Sequence, residues 1–67
     1  MKVRELLALY PDDGECEVYV PNEGWECGMI ANQVLDLYGH RTVSKIRVCL
    51  DDWSEEYAVL EIELEDE

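Results

Sequence analysis

The residues with the most specific chemistry in this chain are Cys16, Cys27, Cys49 and His40. Three thiolates and an imidazole are enough to hold zinc. Structural zinc sites, however, draw their ligands from close pairs of the C-x2–4-C kind, and no such pair is present. A Cys–His nucleophile pair has no better support, because nothing marks one thiol as activated and acidic surroundings raise a thiol pKa. Carboxylates are abundant: seventeen Asp and Glu stand against five Lys and Arg, a net charge of −12. General acid–base work needs a cleft that drives two of their pKa values apart. A chain of 67 residues has little room for one. There is no phosphate loop and no dinucleotide fingerprint, and DDWSEE lacks the spaced ligands of an EF-hand. The expectation is a protein that is not an enzyme and takes no cofactor and no metal.

What remains for the carboxylates is electrostatics. A field of this sign opposes direct binding to DNA, RNA or an anionic membrane surface and attracts a basic protein surface. The most basic common protein surfaces are those that hold nucleic acid. The C-terminal stretch EYAVLEIELEDE places Glu61, Glu63 and Glu65 at alternate positions. On a strand they share one face, about 6.6 Å apart. Duplex DNA carries about one charge per 1.7 Å of axis, so an acidic sheet face suits a groove built for a phosphate backbone. If Glu15 and Glu17 lie on that face, the sheet displays a two-dimensional array of carboxylates. The competing reading is structural: a hairpin register that puts Arg47 opposite Glu61 and Lys45 opposite Glu63 gives two cross-strand pairs, about 0.2–1 kcal/mol each. The candidate contact residues are Asp12, Asp13, Glu15, Glu17, Tyr19, Asp51, Asp52, Trp53, Glu55, Glu56, Glu61, Glu63 and Glu65. Trp53, between two carboxylate pairs, is either an interface anchor or a lid on the hairpin end. Trp25, in a stretch that reads as a loop, is either an exposed contact residue or a lid over the core.

The elements that position these groups follow from periodicity. Val3, Leu6, Leu7 and Tyr10 fall on one face of a short helix, which Pro11 stops and PDDG turns. CEVYV, residues 16–20, reads as a strand with Cys16, Val18 and Val20 inward. Pro21 ends it, and PNEGWECG reads as a loop. MIANQVLDLYG reads as a second helix with Gly39 at the C′ position. TVSKIRVCL, residues 42–50, is a strand, DDWSEE a turn, and YAVLEIEL, residues 57–64, the last strand. The inward residues of these two strands pair as Leu50 with Ala58, Val48 with Leu60 and Ile46 with Ile62. The predicted fold is α+β, a single compact acidic domain over 1–67: a small antiparallel sheet of about three strands with two short helices on one face. The other face is left open.

The opening KVRELLALYPDDGECEVYV is similar to a common start in small phage and mobile-element proteins: a short helix, an Asp-rich turn, then a strand. In size and charge the whole chain resembles phage anti-CRISPR proteins of the DNA-mimic kind, a group with no shared fold or motif. That resemblance implies an inhibitor that occludes the site where a CRISPR effector, Cascade or a Cas nuclease, holds target DNA or its PAM. The expected partner is therefore a basic nucleic-acid-binding protein, a Cas effector subunit, with no direct nucleic acid and no membrane. Two alternatives stand beside it: an antitoxin or other acidic inhibitor of a nucleic-acid-binding protein, and a phage accessory or structural domain. The expected state is a monomer or homodimer with free thiols in a reducing cytoplasm, since no secretory leader or transmembrane stretch is visible.

Overall fold

The computed structural model describes residues 1–51 and 54–66, and only the backbone of residues 50, 51 and 54–57. The chain runs α1 (Val3–Leu6), a 3-10 turn (Leu7–Leu9), β1 (Glu15–Val20), β2 (Gly24–Ile30), α2 (Ala31–Tyr38), β3 (Val43–Asp51) and β4 (Ser54–Leu64). The class is α+β, and the sheet has four strands in the order β2-β1-β4-β3.

The additional strand lies in the stretch that reads as a loop. In Val20-Pro21-Asn22-Glu23, proline stands at the second position and Asn22 has a φ of 72° at the third, while the Glu23 N–H donates to the Val20 carbonyl at 3.0 Å. That is the geometry of a type II turn, and it reverses the chain into β2 rather than releasing it. Gly24, with a φ of 94°, and Gly28, with a φ of 74°, obscure the strand because neither residue has strand propensity. Between the pairs Cys16–Met29 and Val18–Glu26, two residues of β2, Cys27 and Gly28, oppose the single residue Glu17. This is a bulge, which breaks the alternation on which strand recognition depends.

The sheet is mixed, not antiparallel. β4 inserts between β3 and β1, pairing antiparallel with β3 and parallel with β1. The β1–β2 hairpin and α2 carry the chain outward before β3 returns, so β1 and β4 meet running the same way. The β3–β4 register is the one that alternation predicts: Leu50 with Ala58, Val48 with Leu60, Arg47 with Glu61, Ile46 with Ile62 and Lys45 with Glu63. The turn is shorter than DDWSEE suggests, because Asp51 already pairs with Ser54 and residues 54–56 belong to β4.

The core lies on one face. Cys16, Val18 and Val20 of β1, Met29 of β2 and Leu60, Ile62 and Leu64 of β4 pack against Val3, Leu7, Ala31 and Val34 of the helical layer. Ile62 and Val18 are fully buried, each worth about 1.5–3 kcal/mol in area removed from water. Both helices start from backbone N–H groups capped by a side chain three residues on: Lys2 donates to Glu5 Oε1 at 2.9 Å and Ile30 to Gln33 Oε1 at 3.1 Å. α2 begins at Ala31, so Met29 and Ile30 belong to β2 rather than to the helix. Gly39 occupies the C-cap with a φ of −53°, not a left-handed C′ position. Gly14 is needed for space, since a Cβ there would lie 2.3 Å from the Tyr10 ring.

Coverage of this face stops short of β3. Ile46 and Val48, although in register with Ile62 and Leu60, are 47% and 67% exposed, and Ala58 is exposed too. α2 packs over β1 and β2, and Ile46 and Val48 of β3 lie outside its cover. No helix among the described residues is long and apolar enough to cross a membrane.

Candidate partner-binding face

On β1, burial of Cys16, Val18 and Val20 sends Glu15, Glu17 and Tyr19 to the opposite side of the sheet. The register then determines what lies beside them. Glu17 sits opposite Glu61 across the parallel pair, and Glu61 sits opposite Arg47 on β3. In the next row Trp25 of β2, Tyr19, Glu63 and Lys45 follow one another across all four strands. The open face thus has aromatic groups toward β2, carboxylates on the two central strands and cations on β3. The expected sheet of carboxylates is confined to the centre, because the register brings Lys45 and Arg47 to its margin.

Arg47 and Glu61 form an ion pair at 3.2 Å, with Arg47 Nη2 donating to both carboxylate oxygens, at 3.2 and 3.4 Å. The Cys49 thiol donates to Glu61 Oε2. The thiol and then the guanidinium hold the Glu61 carboxyl below its ordinary range, while the Glu61 carboxylate pushes the Cys49 thiol and the Arg47 guanidinium up. Cys49 is therefore biased toward the protonated donor form, the opposite of an activated thiolate. Trp25, 46% exposed, meets the Tyr19 ring edge-on with centroids 5.3 Å apart. Trp25 and Glu61, Glu63, Lys45 and Arg47 line a hollow of about 210 Å³. Tryptophan at this position covers the open face, which resolves its ambiguity against a lid on the core.

The remaining sequence candidates divide. Glu15, Glu17, Tyr19, Glu61 and Glu63 come together on this face. Asp12 and Asp13 are exposed in the turn before β1. That turn lies against the first turn of α2: the Asn32 N–H donates to the Asp12 carbonyl at 3.0 Å and the Ala31 N–H to the Gly14 carbonyl at 2.9 Å. Negative charge there is also favoured by the helix dipole, a structural role. Glu65 follows β4 with its backbone held, its N–H donating to Thr42 and its carbonyl accepting from Arg41 Nη2, and its side chain exposed. Asp51, Glu55 and Glu56 occupy strand positions of the β3–β4 hairpin, away from these rows. Asp52 and Trp53 lie outside the described residues. Glu26 is turned to the helical side, where it accepts from the Tyr38 hydroxyl at 2.8 Å. Burial, with this hydrogen bond, pushes Tyr38 up to about 12.

Trp25, Lys45, Arg47 and Cys49 are the members of the face that the candidate residues lacked. The cations were legible as cross-strand partners and Trp25 as either a contact or a lid; its place on this face was not legible, because its strand was hidden. Cys16, Cys27 and Cys49 are free thiols, and among the described residues no three His, Cys, Asp or Glu side chains gather as a metal set. No protein-family model, no curated protein and no solved structure matches the chain.

Proposed function

We propose that the protein is a non-enzymatic inhibitor that docks its open sheet face onto a cationic surface of a nucleic-acid-binding protein. The observation that carries this reading is the Glu17–Glu61 pair, with carboxylates at directly opposite positions of the two central strands. Like charges so placed destabilise a sheet, and the only cation in their row, Arg47, is already engaged by Glu61. A basic partner relieves that repulsion. Glu15, Glu17 and Glu63 steer the encounter, and the Tyr19–Trp25 pair supplies apolar contact area beside them. The partner class follows from the resemblance in size and charge: a CRISPR effector, whose DNA-binding groove the acidic face occludes.

The test is a gel-shift titration of target DNA bound by purified CRISPR effector complexes. The expected result is loss of the shifted band on adding the protein, relieved by raising salt. A Glu15→Lys/Glu17→Lys/Glu63→Lys variant, which spares the Glu61–Arg47 pair, should inhibit at least tenfold more weakly while keeping its far-UV spectrum. Equal potency of that variant removes this face from the contact. Intact DNA binding with every effector, alongside capture of a toxin or a virion protein, assigns the chain to another class of interaction protein.

A further inference from the structure

β3 is an edge strand of nine residues, and past the short bridge from Lys2 to Thr42 no described strand pairs with its outer side. Such a side presents a row of unpaired N–H and C=O groups. The other edge of the sheet, β2, is blunted by its bulge and by the positive φ of Gly24 and Gly28. β3 is regular from Lys45 to Leu50 in its pairing with β4. It also carries Ile46 and Val48, half-exposed or more on the core side and outside the cover of α2. One edge therefore combines an open backbone with an unpartnered apolar flank.

We infer that this edge pairs with the same edge of a second copy, β3 against β3 antiparallel about a twofold axis at Val48. The choice of occupant rests on the self-complementarity of KIRVCLD, residues 45–51. Read against itself about Val48, the strand places Ile46 opposite Leu50, Val48 opposite Val48, Arg47 opposite Cys49 and Lys45 opposite Asp51 of the second copy. Apolar positions meet apolar positions and the cationic end meets the acidic end. Opposed residues in an antiparallel pair share a face, so only registers centred on a residue preserve the two sides of the sheet. Centring on Ile46 sets Lys45 against Arg47, and centring on Arg47 sets it against itself. Both oppose like charges, which the Val48 register avoids.

An axis normal to the sheet leaves both open faces on the same side. The dimer is then an eight-stranded sheet with two copies of the acidic face in line. Two chains of net charge −12 repel one another at long range, so salt strengthens this association, whereas it weakens docking onto a cationic partner. The dimer and the proposed function consequently fail independently.

The experiment is sedimentation of the full chain at 0.05 and 0.5 M NaCl, paired with cysteine cross-linking. The expected result is a dimer fraction that rises with salt, and a Val48→Lys variant that stays monomeric with an unchanged far-UV spectrum. Register is read in a Cys27→Ser/Cys49→Ala background, in which the remaining native thiol, Cys16, is buried. There, Val48→Cys should form a symmetric disulfide under mild oxidation, and Ile46→Cys, four residues out of register with its own copy, should not. A monomer at millimolar concentration in 0.5 M NaCl overturns the inference. So does cross-linking through Ile46→Cys in place of Val48→Cys, or a Val48→Lys protein that dimerises as the parent does.

Discussion

Replacing Glu17 with lysine should stabilise the fold while weakening its binding to a cationic partner. Glu17 is half-buried on a central strand and directly opposite Glu61. Glu61 is held on its other side by Arg47 and Cys49, so it is fixed in place and ionised. Glu17→Lys removes a like-charge pair and creates an opposite one. Each change is worth about 0.2–1 kcal/mol, and together about 1 kcal/mol. In a domain of this size that corresponds to a rise in Tm of about 4–8 °C. The chain's net charge also falls from −12 to −10, since one negative charge is lost and one positive gained, which eases self-repulsion. Glu17→Gln, which only removes the repulsion, should show about half the gain. The assay is thermal unfolding followed by circular dichroism at 0.1 M and 1 M NaCl. The Debye length shrinks from about 10 Å to about 3 Å between these, so the gain should be smaller at high salt. An unchanged or lower Tm for Glu17→Lys at 0.1 M would refute the reasoning, because the two carboxylates would then not compete.

Two further outcomes concern the core side. Burial raises Cys16 from 9.0 to about 11, and burial with the Glu26 hydrogen bond raises Tyr38 from 10.0 to about 12. Groups raised in the folded state contribute stability below their unfolded values and lose it as pH climbs through the folded ones. The urea midpoint should therefore decline between about pH 9 and 12, and Tyr38→Phe should flatten the part above pH 10; an identical decline in that variant contradicts the assignment. Gly14→Ala should cost about 1–3 kcal/mol in urea unfolding, because its Cβ meets the Tyr10 ring, whose hydroxyl is tied to the Glu15 carbonyl at 3.0 Å. In a Tyr10→Ala background the same substitution should be nearly neutral, and a persistent penalty there would place the strain elsewhere.

Where side-chain period and strand period coincide, the sequence was readable to the residue. KIRVCL alternates throughout and LEIEL, residues 60–64, does so in β4, and their pairing, Arg47 against Glu61 included, follows from aligning apolar with apolar. Cys16, Val18 and Val20 were legible as core for the same reason. β2 was not, because a bulge at Cys27 and Gly28 and a turn built on Asn22 break its alternation. With β2 hidden, Trp25 could not be assigned to a face. Ile46 and Val48 were misread as covered because alternation identifies which face a residue shares, and says nothing of whether a helix reaches it.

Alone, the sequence determined the charge of the surface, the local elements other than β2 and the hairpin register, all of which depend on residues close in the chain or on period-two alternation. Only the tertiary structure decided that β4 inserts between β1 and β3. That placement sets Glu17 beside Glu61, restricts the carboxylates to the central strands and leaves β3 as an open edge. Strand order is a choice among long-range pairings, and neither local propensity nor alternation within a single strand ranks them.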